Sequence, residues 1–131
     1  MQLADVCIAS QEYEKALELV ESAYEIMFSL FGAEDPDSVN VSSRKSTILY
    51  HLGRYDEALS LGMRNIELYD KFSGKLNYLR LEQLVTVYKC YLKVGSPEQI
   101  KDMRDNVLTI GEQLLSKDSK QLKEITDLNK D

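Results

Sequence analysis

At 131 residues, 44% apolar and 29% charged, the chain is about one globular domain rather than a disordered segment. Its net charge of −6 argues against nucleic acid, where neutralising phosphates dominates affinity. No apolar run reaches the ~18 residues of a membrane helix, and Met1-Gln2-Leu3-Ala4-Asp5 lacks the basic region of a signal peptide.

Helical periodicity runs almost the length of the chain. Tyr13, Ala16, Leu17, Val20, Tyr24, Met27, Phe28 and Phe31 form one apolar stripe, and Gly32 is its stop. Pro36 disfavours helix at Asp35, so Ala33-Glu34-Asp35-Pro36-Asp37 reads as a loop. Asp37 or Ser38 then caps a second helix through Val41, Ile48, Leu49 and Leu52, ending at Gly53. Tyr55, Ala58, Leu59, Met63, Ile66 and Tyr69 mark a third, ending near Ser73-Gly74. Leu76, Leu79, Leu84, Val87, Tyr88, Tyr91 and Leu92 mark a fourth, stopping at Gly95. Ser96-Pro97-Glu98-Gln99 has the pattern of a capping box with proline at the first helical position. It opens a fifth stripe, Ile100, Met103, Val107, Ile110, Leu114 and Leu115. Lys117 to Asp131 carries Leu122, Ile125 and Leu128 among charges, the pattern of an amphipathic capping helix.

Three segments repeat at one spacing. Gln11-Glu12-Tyr13-Glu14-Lys15-Ala16-Leu17 aligns with Gly53-Arg54-Tyr55-Asp56-Glu57-Ala58-Leu59, and Gly95-Ser96-Pro97-Glu98-Gln99-Ile100 follows at the same phase. Tyr13 to Tyr55 and Gly53 to Gly95 are each 42 residues. A period of this size means stacked copies of one supersecondary unit, each stabilised by its neighbours. The units divide roughly as 1–34, 35–75 and 76–116, with the cap over 117–131. By this phase Gln11 stands at the turn of the first unit, whose first helix would begin before Met1. The chain thus reads as a fragment of a longer protein, or as a native start with a shortened first helix.

On these residues the chain resembles the tetratricopeptide repeats. The 42-residue unit and the segment Phe31-Gly32-Ala33-Glu34-Asp35-Pro36-Asp37-Ser38 resemble the kinesin light chain subtype in particular. The resemblance covers roughly residues 1–115. It implies an all-α fold, a right-handed superhelix of antiparallel helix pairs. It also implies that the first helix of each pair lines a concave groove for partner peptides or helices. Four positions depart from the pattern: Lys45 for leucine, Gln11 for the turn glycine, and Tyr88 and Ile100 for small residues. The last two imply a wider third pair or a terminal unit with changed packing.

The groove-facing positions implied are Asp5, Ile8 and Ala9; then Asn40, Ser43, Arg44, Thr47, Tyr50 and His51; then Glu82, Val85, Lys89, Leu92 and Lys93. Arg44, Lys89 and Lys93, with His51, either pair with an acidic partner peptide or balance local carboxylates as solvated helix residues. Asn40 reads a peptide backbone or caps a turn; for Asn77 the cap is preferred. Asp5 would repel a C-terminal carboxylate, which disfavours a chaperone-tail adaptor.

No reaction chemistry stands out. His51 is the single histidine and has no metal-ligand spacing to Cys7 or Cys90. Nor is there a nucleophile signature or a glycine-rich phosphate loop. Glu34-Asp35-Pro36-Asp37 lacks the spacing of a calcium loop. No metal or cofactor is expected. Two isolated cysteines suit a reducing compartment, and the expected location is cytoplasmic. Asn40-Val41-Ser42 is a glycosylation sequon by chance.

The expected function is therefore a non-enzymatic scaffold or adaptor that binds a partner protein in its groove. Two alternatives stand beside it: an accessory domain of a larger enzyme, and a self-associating array in which a shortened first helix exposes Leu3 and Val6 at the repeat end.

Overall fold

The computed structural model describes residues 3–72, 77–115 and 120–128, with side chains from Gln11 onward. Several expectations fall outside that range: groove positions Asp5, Ile8 and Ala9, the Cys7 thiol, the stop at Ser73-Gly74, and both ends of the capping segment. The described chain is all helix: α1 (Leu3–Phe31), α2 (Pro36–His51), α3 (Tyr55–Phe72), α4 (Tyr78–Val94), α5 (Pro97–Leu114) and α6 (Lys120–Asp127). Consecutive helices pack on one another, and α2 also touches α4. That is the arrangement of stacked helix pairs.

α1 departs from the repeat phase. The chain stays helical through Gln11, so the turn expected there is absent and one long helix stands where a pair was anticipated. Glutamine is a good helix former and lacks the left-handed freedom that a glycine supplies in such a turn. Gly53 shows the contrast. It has φ +79° at the end of α2. The Gly53 amide donates to Tyr50 O and the Arg54 amide to Leu49 O, at 3.0 and 2.9 Å. This is a Schellman closure, which consumes the last carbonyls of α2 and turns the chain into α3.

The helix starts follow side-chain chemistry. Asp35, not Asp37 or Ser38, caps α2; its carboxylate accepts from the Asp37 amide at 3.0 Å. Pro36 is the reason, since it occupies the first helical position and so puts the cap on the residue before it. The Asn77 side chain caps α4 by accepting from the Leu79 and Arg80 amides. Ser96 and Gln99 close a reciprocal capping box at the head of α5.

One core cluster joins Leu17 of α1, Leu49 of α2, Ala58 of α3 and Cys90 of α4. Another joins Leu81, Leu84, Val87 and Tyr88 of α4 to Val107 and Ile110 of α5 and Ile125 of α6. Tyr88 is 1% exposed, and Ile100 packs against the same cluster, so the third pair holds both large side chains inside its core. Part of the α1 stripe is not core. Phe28 and Phe31 are 53% and 56% exposed, and Leu19, Ile26 and Leu30 are exposed as well. Among the described residues α1 packs chiefly on α2, which leaves these side chains uncovered.

Candidate functional site

Of the expected groove residues, Thr47, Glu82, Val85 and Lys89 come together on the face shared by α2 and α4. The hydroxyls of Thr47 on α2 and Thr86 on α4 lie 3.2 Å apart, so the two helices meet there directly. Each threonine also donates back to its own helix: Thr47 to Ser43 O and Thr86 to Glu82 O. These bonds hold both threonine rotamers. Thr47, Glu82, Val85 and Lys89 then line one open cavity of about 580 Å³.

The far wall of that cavity is α6. Gln121, Glu124, Ile125, Asp127 and Leu128 complete it, with Leu115 at the end of α5 and Tyr78 at the start of α4. Ile125 is buried in the core cluster of α4 and α5, which seats α6. The Tyr78 hydroxyl donates to Leu114 O at 2.7 Å and ties the start of α4 to the end of α5. Helical phase within the repeats does not bring α6 into the site. The signal lies in the Leu122, Ile125 and Leu128 spacing, because the residues between them must face away from α5.

The remaining expected residues divide. Asn40 accepts from the Tyr69 hydroxyl at 2.9 Å, so its side-chain carbonyl is already engaged with α3. That bond ties Asn40 to the fold, and Ser42 of the sequon is buried. Arg44 and Lys93 are exposed on α2 and α4 and do not line the cavity. Lys89 Nζ sits 5.9 Å from the centroid of the Tyr50 ring, close enough for a cation–π contact.

His51 belongs to an aromatic cluster at the end of α2. Its ring stacks on Tyr13 of α1 at 4.7 Å between centroids, with an 8° interplanar angle, and meets Tyr50 edge-on at 5.3 Å. Burial, and then the charge of Lys89, push its pKa below 6.5. Cys90 is fully buried and free, and burial pushes its thiol up to about 11. A protonated, enclosed thiol is a poor nucleophile.

Residues 1–71 match the family model for the tetratricopeptide repeat. The chain belongs to the tetratricopeptide repeat family. The match ends within α3, so α4, α5 and the α6 wall lie beyond it. No curated protein matches the chain. Tetratricopeptide repeats form a non-catalytic scaffold family and generally mediate protein–protein interaction. Beside the α2–α4 contact line this tetratricopeptide repeat protein has an open cavity, with α6 as its far wall.

Proposed function

We propose that this chain is a protein-interaction module, taking a peptide or helix of a partner protein along the face of α2 and α4. One observation carries the reading. Thr47, Glu82 and Lys89, expected in the groove from the tetratricopeptide resemblance, line one open cavity with an apolar floor. Concave, largely apolar sites with a few polar groups are where ligands bind. Extended or helical segments are the usual occupants of such helical grooves. Arg44 and Lys93, exposed beside the cavity, suit an acidic segment of the same partner.

The reading is non-catalytic. His51 is engaged by two tyrosine rings, and the Cys90 thiol is enclosed and protonated at neutral pH. A free buried thiol suits a reducing, cytoplasmic setting. The 42-residue spacing and the loop Gly32–Asp37 favour the kinesin light chain-like subtype within the family.

The test is affinity capture on the intact chain, with identification of the retained proteins. Binding of a purified captured partner is then compared between the wild type and an Arg44→Glu/Lys93→Glu variant. Loss of binding with unchanged helicity supports the groove. Retained binding removes the groove as the site.

A second reading is favoured by α1. Leu19, Ile26 and Leu30 follow an i, i+7, i+11 line and are 72%, 60% and 66% exposed. Apolar surface of this kind drives association, here with a second copy. Light scattering that reports a monomer across a wide concentration range removes it. Concentration-dependent mass that vanishes in Leu19→Lys/Ile26→Lys supports it.

A further inference from the structure

We propose that the cavity between α4 and α6 accepts a large apolar side chain of the partner peptide, flanked in that peptide by lysine or arginine. This rests on the groove reading above and names the chemistry that the groove selects.

The floor is apolar. Leu81 and Val85 of α4 face Ile125 and Leu128 of α6. Leu81 and Ile125 are buried in the core cluster, and Val85 and Leu128 pack against it half-buried. The floor is therefore held by the fold itself and does not have to be ordered by the ligand. The space, about 580 Å³, exceeds what one large side chain occupies, so peptide backbone enters with it. An apolar anchor gains by leaving water, at roughly 25 cal/mol per Å² buried.

The rim decides the flanks. Among the described residues, Glu82, Glu124 and Asp127 line the cavity against a single cation, Lys89. Lys89 is partly occupied by the Tyr50 ring. Glu82 and Glu124 have no ion-pair partner among the described residues. They stand on α4 and α6, on either side of the apolar floor. A peptide cation beside the anchor meets carboxylates at the mouth, whereas a peptide carboxylate there meets like charge. The cavity thus prefers the opposite sign from the exposed cations Arg44 and Lys93. A peptide with a basic-flanked anchor and an acidic segment elsewhere satisfies both.

The test is a random peptide-display selection on the intact chain, followed by fluorescence polarisation of the enriched peptides. The expected result is a motif of one large apolar residue with Lys or Arg within a few positions. Glu82→Lys/Glu124→Lys, with helicity confirmed by circular dichroism, should then weaken binding by about tenfold or more. Val85→Trp, which fills the space, should weaken the same peptides. Enrichment of Asp or Glu beside the anchor overturns the proposal, as does binding of the charge-reversed variant within about twofold of wild type. Acid-flanked peptides that depend on Lys89 sink the flank chemistry and leave the groove reading standing. Peptides indifferent to Thr47, Val85 and Lys89 substitutions sink both.

Discussion

The Asn65 amide donates to the Gln83 side-chain carbonyl at 3.0 Å, joining α3 to α4 where both residues are almost wholly buried. The Gln83 amide then donates to Ser46 Oγ at 3.1 Å, and Ser46 donates to Ala58 O at 2.8 Å. One polar chain thus fastens α2, α3 and α4 directly behind the groove face. Gln83→Leu keeps the volume but strips the Asn65 amide of its acceptor. It should lower stability by about 1–3 kcal/mol, read as a lower urea midpoint. Asn65→Leu combined with Gln83→Leu should cost less than the sum of the single changes. Additivity within ~0.5 kcal/mol would show that the two amides share no energy.

Gly62 sits against the same network. A Cβ there would stand 2.6 Å from Val87 Cγ2 and 2.9 Å from Gln83 Nε2. Val87 is 0% exposed and Gln83 is bonded through both amide atoms, so neither can retreat cheaply. Gly62→Ala should destabilise by about 1–3 kcal/mol, despite alanine's better helix propensity. Gly111→Ala is the control. Its nearest neighbours would be ordinary contacts, Leu122 at 3.5 Å and Ile125 at 3.7 Å. That variant should be neutral or more stable by up to about 1 kcal/mol. Thermal melts of the two variants against wild type give the comparison.

His51 makes a clean probe of the groove end because it is the single histidine. Burial, then Lys89, disfavours its protonated form in the fold and lowers its pKa from 6.5. As pH falls, the unfolded chain takes up this proton first. Stability is therefore unaffected above about 6.5 and declines as pH drops from there through the folded value. An NMR titration should place the folded pKa below the peptide value, and Lys89→Met should raise it. A pKa unmoved by Lys89→Met would show that the two side chains do not sense each other.

Cys90 should be silent to thiol reagents at pH 8 in a Cys7→Ser background. Its thiol is enclosed by the core and protonated until about pH 11. In urea it should react at the rate of an ordinary exposed thiol. The protection factor then reports opening of the contact among α1, α2 and α4. Fast labelling of the folded chain would place Cys90 outside that core.

Helix ends closed by their own residues are legible in the sequence. Gly53, Asn77, Ser96 and Gln99 act over one to four positions, so the boundaries at those places follow from local hydrogen bonding. Thr47, Glu82 and Lys89, which the family resemblance assigns to the groove, line one cavity. Gln11 misleads because repeat phase ranks it as a turn, while its own propensity keeps α1 helical. Phe28 and Phe31 mislead because periodicity shows that a stripe exists, not whether a neighbour covers it.

The all-helical class and the helix ends were readable from the sequence alone, because they rest on short-range periodicity and local hydrogen bonding; the family was readable from residue types that recur every 42 positions. The tertiary structure decided the rest: the Asn65–Gln83–Ser46 chain, the space that Gly62 leaves open, and α6 as the wall that gives the cavity its acidic rim. Each depends on which side chains distant in sequence come within a few ångströms, and that is settled only when the helices stack.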